Sequence, residues 1–125
     1  MILNNDDSKP IYVQIAEWLE KEILSGNFQV DEKVYSQYQL AEMFTINPAT
    51  AGKGLTLLVE DEILYKRRGL GMFIADHARE RILQKRKEQT LKKLVIDLVD
   101  EAERLGVGEA ELVELIQNVR KVRGK

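Results

Sequence analysis

The chain has 125 residues, 44% of them hydrophobic and 32% charged, which suits one compact domain or a small domain with an appendage and argues against global disorder. It holds no cysteine, so disulfides, thiolate metal sites and cysteine nucleophiles are excluded, and no apolar run approaches the roughly 20 residues of a membrane span. The formal net charge of −2 is unevenly spread: residues 1–76 carry 7 Lys and Arg against 12 Asp and Glu, a net of −5, while residues 77–125 carry 12 against 9, a net of +3.

The opening Met1-Ile2-Leu3-Asn4-Asn5-Asp6-Asp7 has neither the basic nor the apolar region of a signal peptide, so a cytoplasmic protein is expected. Residues 1–8 read as polar and loose. Pro10 suits the first turn of a helix, where its missing N–H costs nothing. Ile11, Ile15, Leu19 and Ile23 then recur every four residues, with Ala16 and Leu24 alongside, which predicts an amphipathic helix over 10–25 stopped by Gly26. Trp18 lies off the main face and fits either the core or an interface. Residues 27–34 read as an irregular or briefly extended connection.

Ser36 is a good N-cap for a short helix over 36–44, with Leu40, Ala41, Met43 and Phe44 on its apolar face. Thr45-Ile46 form a turn. Asn47 caps a further helix, Pro48 opens it, and it runs to about Glu60 with Leu55, Leu58 and Val59 inward. Ile63-Leu64-Tyr65 and Met72-Phe73-Ile74 are β-prone and flank the turn Lys66-Arg67-Arg68-Gly69-Leu70-Gly71, which predicts a hairpin with a basic tip. Two helices, a tight turn between them and a basic hairpin make a helix-turn-helix followed by a wing.

Beyond Asp76 the pattern changes. Residues 77–104 are highly charged and lack glycine and proline. Leu91, Leu94, Val95, Leu98, Val99, Ala102 and Leu105 mark one helical stripe, Gly106-Val107-Gly108 breaks it, and Glu109 to Val122 form a second helix. The expected fold is therefore mainly α with a small β-hairpin: a winged helix-turn-helix domain over 1–76 and a helical hairpin over 77–125. This stripe can pack on the second helix of its own chain or on a second chain; an appendage of that size has little room for a private core, so Leu91, Leu94, Val95, Leu98, Ala102 and Leu105 are expected to form a dimerisation face.

The helix opened by Asn47-Pro48-Ala49-Thr50 is the candidate reader of DNA. Its free N–H groups and positive dipole end favour phosphate, Thr50 suits a phosphate or a thymine methyl, and Lys53 suits phosphate or a guanine edge. Gly52 and Gly54 each cost roughly 1 kcal/mol in a helix interior relative to alanine. They mean either a very close approach to something or a reduced capacity to read bases. In the wing, glycine lets the backbone approach a phosphate beside three cations. A basic stretch follows at Arg79, Arg81, Lys85, Arg86 and Lys87. The expected DNA-contact set is Ser36, Gln37, Asn47, Thr50, Lys53, Lys66, Arg67, Arg68, Gly69 and Gly71.

Chemistry finds little footing. His77 is the only histidine and has no evident partners, so neither a metal nor a catalytic site is expected. Glu60-Asp61-Glu62 reads as a solvated helix end, and Gly69-Leu70-Gly71 is too short for a nucleotide-binding loop. No enzyme, no cofactor and no membrane contact are expected, and no motif specifies a small-molecule effector.

These residues resemble the GntR family of bacterial transcription regulators. The resemblance rests on Pro10-Ile11-Tyr12-Val13-Gln14-Ile15, Leu24-Ser25-Gly26, Leu40-Ala41, Asn47-Pro48-Ala49-Thr50 and Arg67-Arg68-Gly69-Leu70-Gly71-Met72-Phe73-Ile74, covering about residues 9–75. The short helical tail resembles the YtrA subfamily. The resemblance implies a homodimer on a pseudo-palindromic operator, often beside transporter genes, with family roles for Ser36, Thr50, Lys53, Arg67, Gly69 and Gly71. Three positions depart from the family pattern: Tyr35 stands for a proline, Tyr38 for an arginine, and Gly52 for an often basic residue. The expected function is sequence-specific transcriptional regulation, most simply repression, as a homodimer on double-stranded DNA. The alternative is a winged-helix protein-interaction module with weakened or lost operator binding.

Overall fold

Four-residue spacing of isoleucine and leucine gives the first helix, α1, which spans Ile11–Leu24 in the computed structural model; residues 8–124 are described. Pro10 caps it, and its carbonyl accepts from the N–H groups of Val13 and Gln14. Gly26, at φ +83°, turns the chain away, a conformation that costs glycine little. The expectation for the N-terminal segment falls largely on residues 1–7, outside the described residues.

Helix α2 covers Gln37–Phe44 and opens with a capping box: Gln39 N–H donates to Ser36 Oγ at 3.1 Å, and Ser36 N–H donates to Gln39 Oε1 at 2.8 Å. It ends on Thr45 at φ +55°, a strained conformation for a β-branched residue, and so makes the sharp turn of the helix-turn-helix. Helix α3 follows over Pro48–Glu60, with Asn47 Oδ1 accepting from Ala49 N–H at 2.7 Å and Pro48 in the first turn. Its buried side is Ala51, Gly54, Leu55 and Leu58, with Val59 half-buried.

Strands β1 (Leu64–Arg67) and β2 (Gly71–Ile74) pair antiparallel in the register Leu64 with Ile74, Tyr65 with Phe73, Lys66 with Met72, and Arg67 with Gly71. The pairing runs further than the apolar residues alone imply. Lys66, Arg67 and Gly71 are therefore strand residues, and the turn is Arg68-Gly69-Leu70. The connection before α2 also joins the wing. Asp31 N–H donates to Ile74 carbonyl, Ile74 N–H to Glu32 carbonyl, and Val34 N–H to Met72 carbonyl, all at 2.9–3.0 Å. Lys33 bridges Phe73 antiparallel.

One core joins α1, α2, α3 and the hairpin: Ile15, Leu19, Leu40, Leu55, Leu58, Ile63, Leu64 and Ile74. Trp18 packs against it, its ring 5.0 Å from Phe44 and 6.1 Å from Tyr35. The chain continues into α4, Ala78–Arg86, whose Ala78 and Ile82 are buried in the same core. This first unit accordingly runs to Gln84, and the second covers 85–125.

The run after Asp76 is not a single regular helix. A π-helical stretch at Lys87–Leu91 separates α4 from α5, Lys92–Leu105. Each wider turn advances the backbone by an extra residue and resets the phase of the apolar stripe. Gly106, at φ +72°, ends α5, and α6 spans Glu109–Arg123.

Candidate nucleic-acid interface

The exposed side of α3 carries Ala49, Lys53, Thr56 and Glu60, with Gly52 beside them. A shallow groove runs along it, lined by these residues with Tyr12 and Gln37. The two glycines differ in what surrounds them. A Cβ at Gly54 would lie 2.9 Å from the Tyr12 carbonyl oxygen and 3.1 Å from Ile15 Cγ2. Gly54 therefore lets the α1 backbone cross α3, and it faces the core. A Cβ at Gly52 would have the Gln37 carboxamide as its nearest neighbour, 3.1 Å from its Oε1 and 3.5 Å from its Nε2. Lys53 is held as well as exposed: its ammonium lies 4.6 Å from the centre of the Tyr12 ring. Thr50 is half-buried, and Asn47 and Ser36 use their side chains as helix caps.

The wing divides its cations by strand alternation. Leu64 faces the core, so Lys66, two residues on, shares its side of the hairpin. Lys66 lines a cleft with Lys33, Ser36, Gln37, Tyr38 and Leu70. Arg67 lies on the opposite face. Its guanidinium sits 4.7 Å from the Phe73 ring centre and 5.5 Å from that of Tyr65, and it donates to the Tyr65 hydroxyl at 3.1 Å. That hydroxyl donates to Asp31 Oδ1 at 2.6 Å, a bond to the neutral phenol that raises the Tyr65 pKa above its usual value. Arg67 is thus already stacked and hydrogen-bonded, whereas Arg68 and Gly69 form the exposed turn.

Sequence patterning missed Lys33. It sits in a connection without periodicity, and only its bridge to β2 brings it to the wing. There a Cβ at Gly71, at φ +122°, would come within 2.9 Å of Lys33 Cε. Arg79 and Arg81 of the basic stretch hold backbone carbonyls. Arg79 donates to the Leu24 carbonyl at 2.6 Å, closing the end of α1. Arg81 donates to the carbonyls of Asp76 and Glu62 at 2.9 and 3.1 Å, fastening α4 to the α3–β1 turn. His77 lies 3.8 Å from Glu80, both largely exposed, and among the described residues no cluster of side chains could hold a metal ion. No helix among the described residues is long and apolar enough to cross a membrane.

In the second unit, five of the six expected interface residues stand in solvent: Leu91, Leu94, Val95, Leu98 and Leu105 are 41–68% exposed. Ala102 alone is already buried within its own chain.

No family model matches the chain. The fold is nevertheless that of a transcriptional regulator of the GntR family from Bacteroides thetaiotaomicron, at a TM-score of 0.76 and 28% identity over 91% of this chain and 99% of that one. The HTH-type transcriptional repressor YtrA of Bacillus subtilis is 32% identical over 90% of this chain and 85% of its own length. The chain belongs to the GntR family. Another relative in this family of HTH-type regulators, the repressor NagR of Bacillus subtilis, is 32% identical over 96% of the chain, which spans 56% of that protein. The winged unit is also similar to the DNA-binding domain of AraR, solved in complex with operator ORX1, with a TM-score of 0.56 and 28% identity over 60% of this chain and 95% of that one. These GntR-type relatives and structural neighbours are transcriptional regulators, not enzymes.

Proposed function

We propose that this GntR-family chain is a sequence-specific DNA-binding repressor that acts as a homodimer on a pseudo-palindromic operator. In this reading α3 enters the major groove through Ala49, Thr50, Gly52, Lys53 and Thr56. The wing lies alongside, with Lys66, Arg68 and the Gly69 and Gly71 backbone towards phosphates, and Ser36, Gln37 and Asn47 line the approach. The observation that carries it is the juxtaposition of an exposed, small-residue face on α3 with a basic turn and the Lys33–Lys66 cleft, in a fold shared with an operator-bound domain. A helix of about 10–12 Å diameter matches a groove roughly 12 Å wide.

The tail supports the homodimer. Leaving the leucines of α5 in water is costly, since burying one is worth roughly 1.5–3 kcal/mol. In a two-fold dimer each such residue counts twice, and two α3 helices then address half-sites about one helical turn apart. Repression is favoured over activation because YtrA and NagR are both repressors.

Selection of bound duplexes from a random pool, at stated salt, tests this reading. A two-fold-related motif bound by dimers is the expected result. Absence of any enriched sequence, with intact folding, would replace it by a winged-helix interaction module. The acidic balance of residues 1–76, the stacked Arg67 and the tethered Lys53 favour that second reading.

A further inference from the structure

We propose that Gln37 is a base-reading side chain of this protein, delivered from α2 across the bare surface of Gly52. This rests on the reading that α3 enters the major groove, and adds to it the residue that reads a base and the base it prefers.

The exposed side of α3 has a gap. Position 52 lies there, one turn after Asn47-Pro48, where a side chain would point at the groove. Glycine supplies none. The space is not empty, however: Oε1, Cδ and Nε2 of Gln37 all lie within 3.1–3.5 Å of where a Cβ would be. The carboxamide rests on the α3 backbone and lines the groove formed by Ala49, Lys53 and Thr56. It also lines the cleft towards Lys66 and Leu70, so it stands between the reading helix and the wing. Gln37 starts from the first residue of α2, whose capping box at Ser36 and Gln39 fixes the backbone there. A long, flexible side chain is thus held at its root by a cap and at its tip by the absence of a Cβ.

The chemistry of that tip is specific. A carboxamide offers one acceptor and two donors, the complement of adenine N6 and N7 in the major groove. No cation in that position would have this preference, since a cation favours guanine or phosphate. Gly52 is therefore the cradle for a neutral reader and not a defect in the helix.

The test uses the full chain and three variants, Gln37→Ala, Gln37→Glu and Gly52→Ala, each carried through selection from a random duplex pool. Affinity is then titrated on the selected duplex and on a scrambled one at the same salt. The wild type should select adenine at one position in each half-site. Gln37→Ala should lose that preference and bind the selected duplex roughly 5–150-fold more weakly for each base pair read, with little change on the scrambled duplex. Gln37→Glu should move the preference towards cytosine, whose N4 donates to a carboxylate. Gly52→Ala should blur the same position without lowering the melting temperature, because the nearest group that must give way is a flexible side-chain tip. An unchanged motif for Gln37→Ala overturns the proposal. So does an equal loss on both duplexes, which would make Gln37 a phosphate contact. Either result leaves the operator reading standing, whereas a wild type that enriches no motif removes both. If Gln37→Ala fails to fold, an unaltered motif for both Gly52→Ala and Gln37→Glu overturns the proposal by itself.

Discussion

Ile15, Leu19, Leu40, Leu58, Ile63, Leu64, Ile74 and Ile82 of the first unit are fully buried, while Leu91, Leu94, Ile96, Leu98, Leu115 and Ile116 of the second are more than 40% exposed. Both units are patterned with similar residue types at helical spacing. What differs is the number of surfaces that converge. In the first unit three helices, a hairpin and α4 close round one core. In the second, α6 buries no residue and α5 buries only Ala102. Apolar periodicity thus states that a face will be covered, not what covers it.

The sharpest way to break this comparison is to charge the tail. Leu94→Asp or Leu98→Asp should shift the dimer–monomer equilibrium by at least about a hundredfold in sedimentation equilibrium, because burial worth roughly 1.5–3 kcal/mol per leucine is forfeited on both sides. The melting of the first unit should hardly change. A monomeric wild type would remove the contrast altogether.

Next in size is the boundary between the units. Ile82 is fully buried in the first unit although it lies beyond the hairpin. Ile82→Ala should cost about 2–5 kcal/mol of stability in denaturant titration. A chain ending at Asp76 should be destabilised by at least as much, and one ending at Arg86 should remain folded and largely monomeric. Equal stability for the two truncations would show that α4 contributes nothing to the core.

The two glycines of α3 sharpen the comparison at the scale of single atoms. Gly54→Ala drives a methyl into the α1 backbone and should cost about 1–3 kcal/mol. Gly52→Ala has a movable carboxamide as its nearest neighbour and should raise stability by up to about 1 kcal/mol through helix propensity. Thermal melts of the pair should therefore move in opposite directions.

The smallest effect concerns the wing. Arg68→Ala or Lys66→Ala should lower the salt slope of DNA binding by about 1 for each phosphate left without its cation, doubled in a dimer with two wings. Arg67→Ala should change the slope less, since its guanidinium is stacked on Phe73 and Tyr65 on the other face of the hairpin. A larger change for Arg67 would show that the stack presents that cation to DNA.

Local chemistry in the sequence was enough to determine α1, α2, the start of α3 and the hairpin: the isoleucine and leucine spacing of α1, the Ser36 and Asn47 caps, Pro48, and the β-prone residues about a glycine turn. Those signals act within a few residues, so they can be read without the fold. Tertiary structure alone decided the matters that depend on distant segments. The pairing of 31–34 with β2 carried Lys33 to the wing. The extended register moved Lys66 and Arg67 out of the turn and onto opposite faces. The crossing of α1 gave Gly54 its reason, and the reach of Gln37 gave Gly52 a different one. A glycine's meaning lies in what occupies the space beside it, and that neighbour came from 15 residues away at Gln37 and from another helix at Tyr12.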